Sequence, residues 1–184
     1  NGQITLEGLS KGTYVIVENK AKSEVKTAEQ LADSAAVPMT ITLLGGPLPI
    51  FKRSIDAYRQ SLKMKSYNPS DFPVATTGFF YAADDTKTAL RELYPYVDQG
   101  MKLANGTGYH KRLFANGADM NDVMLVGSPQ QIIEKMIYQY EELGHQRYLA
   151  QIDFGGMPFE KVMKNIEIIG TKILPEVKKY TKGK

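Results

Sequence analysis

Two periodicities alternate along this chain. Short apolar stretches bounded by turn-forming residues, at 13–17, 38–44, 73–83 and 148–154, predict β-strands. Between them the apolar positions recur at helical spacing. A helix is predicted over 23–36, and another starts near Pro49 with Ile50, Ile55, Tyr58 and Leu62 along one side. A third, over 86–101, carries Ala89, Leu90, Leu93 and Val97. Ser128, Pro129 and Gln131 fit an N-cap, a first-turn proline and a capping-box partner, and Gly144 fits the matching C-cap. Between those caps, Ile132, Ile133, Met136, Ile137, Tyr140 and Leu143 repeat at helical intervals. Pro158 opens a last helix bearing Val162, Ile166, Ile169 and Ile173. Strand and helix in strict alternation predict an α/β architecture of four parallel units joined by crossover helices.

Four units fit two topologies. They form half of a barrel that needs eight strands and about 250 residues, or a small open doubly wound sheet of the flavodoxin-like kind. Periodicity is compatible with both. Segment 102–123, which contains Gly106, Gly108 and Gly117, is longer than an ordinary α/β connection and is expected to be a lid or a flexible insert.

Composition narrows the function classes. A length of 184 residues with 42% hydrophobic content is enough for one domain with a core of its own. Its 23 basic and 20 acidic residues are spread along the chain, so a nucleic-acid or membrane partner is not expected, and the lysines at the C-terminal end read as a solvated tail. No apolar run approaches the roughly 20 residues that span a bilayer. The lack of cysteine removes disulfides, thiolate metal sites and a cysteine nucleophile, and a cytoplasmic location is expected. His110 and His145 are too isolated to bind a metal. The chain opens Asn1-Gly2-Gln3, without methionine or a leader pattern, and is expected to begin mid-protein.

The run from Tyr14 to Lys22, with Val37-Pro38-Met39-Thr40-Ile41 after a helix, resembles the fifth strand, phosphate loop and sixth strand of bacterial luciferase-like flavin-dependent monooxygenases. Val126-Gly127-Ser128-Pro129-Gln130-Gln131 is similar to that family's Gly-Thr/Ser-Pro-Glu helix start. Leu143 to Gly156 is similar to its eighth strand, and Ile169 to Val177 to its closing helix. The resemblance implies the C-terminal half, strands five to eight, of a TIM-type (β/α)8 barrel, with FMN at the C-terminal mouth.

Site residues follow from the resemblance. Glu18 matches the family's Glu, Asn19 replaces its Ser, and Lys22 stands where a later Thr is expected. With Ser23 these would face the FMN phosphate, since unpaired amides before a helix favour an anion. The plain alternative is a solvated turn ending in a Ser23 N-cap. Gly45 and Gly46, like Gly155 and Gly156, follow a strand, and their backbones could approach a flavin or simply make a tight turn. Gln151 and Asp153 are expected on the lumen face of the last strand, as substrate or flavin contacts. Thr40, Thr42, Thr76 and Thr77 are expected to be satisfied core hydroxyls. No catalytic residue is assigned.

The implied parent enzyme is an FMN-dependent oxidoreductase, a monooxygenase using O2 and reduced flavin from a partner reductase on a small organic substrate. The chain alone is expected to be inactive, and to form a homodimer or to pair with the missing N-terminal half. The alternative is a non-catalytic flavin-binding or structural subunit.

Overall fold

The computed structural model describes residues 38–182. The first predicted strand and helix, with Glu18, Asn19, Lys22 and Ser23, lie outside the described residues. Four parallel strands and six α-helices follow: β1 (Met39–Leu43), α1 (Leu48–Met64), β2 (Val74–Ala82), α2 (Thr86–Asn105), α3 (Lys111–Ala115), β3 (Leu125–Gly127), α4 (Pro129–Leu143), β4 (Arg147–Gln151), α5 (Phe159–Ile168) and α6 (Leu174–Thr181).

β2 is the centre. β1 pairs along its first half, Met39 opposite Val74 through Leu43 opposite Gly78. β4 pairs over nearly the same stretch, Ala75 opposite Arg147 through Phe79 opposite Gln151. β3 takes up the far end, Phe80 to Ala82 opposite Leu125 to Gly127. Among the described residues β1, β2 and β4 lie side by side in chain order. Consecutive units laid side by side in one direction are the arrangement of a barrel segment.

The two faces of the sheet differ. Met39, Leu43 and Val74 pack against Leu48, Ile55, Tyr58 and Leu62 of α1 and Leu143 of α4. Further along the same face, Phe80, Ala82 and Leu125 pack against Ile132, Ile168 and Ile173. Residues of opposite parity face the other way. Near the C-terminal end of β2, Phe79 and Tyr81 are covered by Ala89, Leu93 and Val97 of α2, by Phe114, and by Met157. Towards the N-terminal end that second face is open: Thr40 and Thr42 are exposed, and Leu149 keeps 46% of its surface in solvent. Register aligns Thr42, Thr77 and Leu149 across the three strands. Such a row is what a barrel turns towards its lumen.

The threonines therefore divide. Thr76, fully buried on the helix side, lies 3.0 Å from His145 Nδ1, and Thr77 donates to the Leu149 carbonyl at 2.9 Å. Thr40 and Thr42 are not core residues.

Helix boundaries follow local chemistry. The Asp85 side chain accepts from Thr88 N and starts α2, and Ser128 accepts from Gln131 N and starts α4, which ends at Gly144. α1 has no capping side chain of its own, because Pro47 occupies its N-cap. Its terminus is capped from 73 residues away, where Leu48 N donates to the Asn121 carbonyl at 2.9 Å. Between α5 and α6 the helix widens into a π-turn over Ile169–Ile173, which lets Ile168 and Ile173, five positions apart, enter one cluster.

One expected boundary moves, and one strand was not expected. The last strand stops at Gln151 rather than 154, because Phe154 turns inward to meet Phe79 edge-on at 5.1 Å. β3 is absent from the periodicity, since three wholly buried residues show no alternation.

Candidate functional site

The C-terminal ends of β1, β2 and β4 form one rim. After β1 come Gly45 and Gly46, with φ of 134° and 104°, a region in which residues with a Cβ are rare. This turn is covered by the segment between α2 and β3. Gly46 N donates to Asp122 Oδ2 at 2.8 Å, and Gly46 O accepts from Val123 N at 3.1 Å. The Tyr109 hydroxyl donates to the Leu44 carbonyl at 2.8 Å and lies where a Cβ on Gly45 would point, so a side chain there would have to displace Tyr109 as well as strain the backbone.

Tyr109 also belongs to an aromatic group at the rim. Its ring meets Phe79 at 6.1 Å and Phe114 at 5.8 Å, while Tyr94 meets Phe114 at 5.4 Å. Edge-to-face contacts at these spacings are favourable. Burial raises the Tyr109 phenol above its ordinary pKa, and the Asp122 carboxylate adds to the rise.

After β4, Gln151 closes the strand, and its amide reaches Thr77 Oγ1 at 3.3 Å. Asp153 lies beyond the strand, in an exposed bend. Glycines 155 and 156 form the next turn, and Gly155 lies hard against the Tyr96 backbone.

Beyond the end of β2, a polar cleft of about 320 Å³ opens between the first turns of α2 and α5. Tyr81, the last residue of β2 on the aromatic face, donates to Glu92 Oε2 at 2.7 Å, and Lys161 Nζ reaches the same oxygen at 2.8 Å and the Tyr81 hydroxyl at 3.3 Å. Lys161 and then Tyr81 hold the Glu92 carboxyl below the usual range. Glu92 holds the Lys161 ammonium above its usual range, and burial, with Glu92, keeps the Tyr81 phenol neutral. All three groups are thus fixed in one protonation state near neutral pH and bonded to one another, which does not suit them to relaying protons. The sequence pattern did not single out these residues, because they lie 11 and 69 positions apart and converge through α2 and α5 alone.

The covering segment is itself held by α4. Gln131, Lys135 and Gln139, four positions apart on one helix face, donate to the carbonyls of Ala118 at 2.7 Å, Gly117 at 2.9 Å and Val123 at 3.0 Å. Lys135 is fully buried. Burial lowers its pKa to about 8, against the opposing pull of Asp122 and Asp119. Among the described residues no three His, Asp or Glu converge on a metal position, and no helix is long and apolar enough to cross a membrane.

The sequence profile described as luciferase-like monooxygenase matches residues 23–147. Solved structures share the fold. Monooxygenase RslO1 from Streptomyces bottropensis is 19% identical with a TM-score of 0.61, over 80% of this chain and 44% of that one. The oxygenating constituent of 3,6-diketocamphane monooxygenase from the CAM plasmid of Pseudomonas putida, a type II Baeyer–Villiger monooxygenase in complex with FMN, is 18% identical with a TM-score of 0.54, over 82% and 45%. An F420-dependent secondary alcohol dehydrogenase in complex with an F420-acetone adduct is 15% identical with a TM-score of 0.54, over 82% and 45%. The chain therefore spans less than half the length of these relatives in fold. No curated protein gives a significant match.

Proposed function

The chain belongs to the luciferase-like monooxygenase family, and from that premise we propose that it is the flavin-mouth portion of an FMN-dependent oxidoreductase. Its activity on this reading is a monooxygenation that uses O2 and reduced FMN, delivered by a partner reductase, on a small organic substrate. The observation that carries the reading is the rim: β1 and β4 end together on either side of β2, at the positive-φ turn of Gly45 and Gly46 beside Phe79. Brought to such a mouth in place of the Tyr109 ring, a planar ring would lie between the Gly45 backbone and aromatic walls. The fit is supported by what fills the place now, an aromatic side chain, Tyr109, packed on Phe79 and against Gly45.

When bound, the flavin supplies the redox chemistry. This chain's own residues supply the walls (Phe79, Phe114, Phe154), the backbone of the Gly45 turn, and the fixed Tyr81–Glu92–Lys161 group at the edge of the mouth. Glu18, Asn19, Lys22 and Ser23 remain proposed phosphate contacts, and Gln151 and Asp153 proposed substrate contacts. A cytoplasmic location belongs to the same reading.

The open row of Thr42, Thr77 and Leu149 favours a chain that works only when another half-barrel, from a second copy or from an N-terminal half, covers that face. It also keeps alive the reading of a non-catalytic flavin-binding or structural subunit. Titration of the purified chain with FMN, followed by absorbance and flavin fluorescence, tests the proposal. Saturable binding weakened by Gly45→Val is expected, since the new side chain meets Tyr109 and narrows the mouth. An undisturbed flavin spectrum, both for the chain alone and with an N-terminal half-barrel added, would refute it.

A further inference from the structure

One side of α5 is apolar and uncovered. Phe159, Met163 and Ile166 keep 75%, 47% and 45% of their surfaces in solvent. Scattered exposed apolar residues are ordinary on any protein. These three are not scattered, because intervals of four and three place them in one row along the helix. Gly170, four positions further on, continues the row into the π-turn; it is exposed, and no heavy atom lies within 4 Å of where its Cβ would point. Intervals of four, three and four are the spacing of a helix-pairing seam, here with a flat place at one end where a large side chain of another helix can seat.

The row is held outward by bonds on the opposite side of the same helix. Val162, Asn165 and Ile168 are buried. Asn165 Oδ1 accepts from Ala82 N at 2.7 Å, and Asn165 Nδ2 donates to the Lys161 carbonyl at 3.1 Å. Lys161 Nζ is tied to Glu92 at 2.8 Å. Rolling α5 to bury Phe159 would break the bond between Asn165 and Ala82 and leave a buried amide without a partner, a costly exchange. The fold therefore keeps three apolar side chains in water, with no described element over them.

A charged row runs beside the apolar one, one residue round the helix. Glu160, Lys164 and Glu167 stand in it, all exposed, and none of them is in an ion pair with another described residue. Rows that flank a seam choose the partner. A second copy laid antiparallel about a two-fold axis would set Phe159 on Gly170 and Met163 on Ile166, but also Glu160 beside Glu167 and Lys164 beside Lys164. Like charges would meet all along the flank, which disfavours self-pairing. A helix with the reverse order, basic, acidic, basic, meets each of them with its opposite.

We propose that this side of α5 is a docking surface for an amphipathic helix of a different polypeptide, one whose apolar row has the same spacing and is flanked by basic, acidic and basic residues. The inference stands on α5 alone and needs neither flavin nor turnover. It is separate from the open row of Thr42, Thr77 and Leu149, which lies on the sheet.

Two fluorescently labelled peptides of about 20 residues, long enough to be helical by themselves, serve as probes. Both carry leucine at intervals of four, three and four. One has lysine, glutamate and lysine along the flank, and the other has glutamate, lysine and glutamate. Titrated with the whole chain and followed by anisotropy, the first is expected to bind saturably and at least tenfold more tightly than the second. Ile166→Glu is expected to weaken it at least tenfold. Glu160→Lys, Lys164→Glu and Glu167→Lys together are expected to invert the preference between the peptides. These variants change exposed side chains only, a circular dichroism spectrum like that of the parent chain checks their folding, and the comparison of the two peptides on the parent chain needs no variant. Absence of saturable binding, equal affinity for the two peptides, or a preference that the triple substitution leaves in place overturns the proposal. So does light scattering in which Ile166→Glu turns an associated chain into a monomer, because the row would then belong to a second copy.

Discussion

His145 shows how much one buried side chain can impose. It sits at the N-terminal end of β4, 7% exposed, with Nδ1 at Thr76 Oγ1 and the Arg59 guanidinium nearby. Burial first and Arg59 second lower its pKa from 6.5 to about 4. The folded pKa lies below the unfolded one, so the contribution to stability is complete above pH 6.5 and is lost as the pH falls from 6.5 towards 4. Chemical denaturation across that window should show a loss on the order of 2–3 kcal/mol, and His145→Gln should flatten the slope; a wild-type slope unchanged by the substitution would remove His145 as its source. Lys135 works in the same direction at higher pH, stability rising between about 8 and 10.5 as the unfolded chain alone keeps the proton. Neither residue was legible from the sequence as more than a lone histidine and an exposed-looking lysine between Glu134 and Met136. Their environment is made by residues 69 and 18 positions away, a distance no local pattern spans. Gly45 and Gly46 were legible as a turn after a strand, but Tyr109 beside them was not.

Elements were easier to read than sites. α4 was bracketed to the residue by Ser128, Pro129 and Gly144, because capping chemistry is local and its residue types are few. Ser128→Ala should therefore cost about 1 kcal/mol, seen as a lower midpoint in urea with an unchanged slope. β1, β2, α1 and α2 fell close to their expected positions since each buries a single stripe or face. β3 was missed because it is short and buried throughout, and β4 was drawn too long because the turn of Phe154 into the core is a tertiary choice. The Asp122 contact with the turn after β1 makes a second expectation. Asp122→Ala frees Gly46 N and Met124 N together, both in protected surroundings, and should lower stability by about 2–4 kcal/mol. Thermal melting with a loss below 1 kcal/mol would show that water replaces the carboxylate without penalty.

At the scale of the fold, the sequence offered two topologies, and likeness to solved structures over less than half their length supports the barrel, with β1, β2 and β4 side by side as a barrel segment requires. Periodicity could not make that choice because it reports which residues are buried, not which strands are neighbours. The open row from Thr42 to Leu149 then bears on assembly. Light scattering should find the chain above its monomer mass of 20.5 kDa at high concentration, and Leu149→Lys should shift it back; a strictly monomeric chain at every concentration would count against pairing through this face. Flavin-dependent turnover by the chain alone should be undetectable. If two pieces must meet before either can work, their output follows mass action. Tenfold dilution would then cut turnover by more than ten until the pieces are fused on one polypeptide, and a tether, not a better active site, would be the shortest route to a faster enzyme.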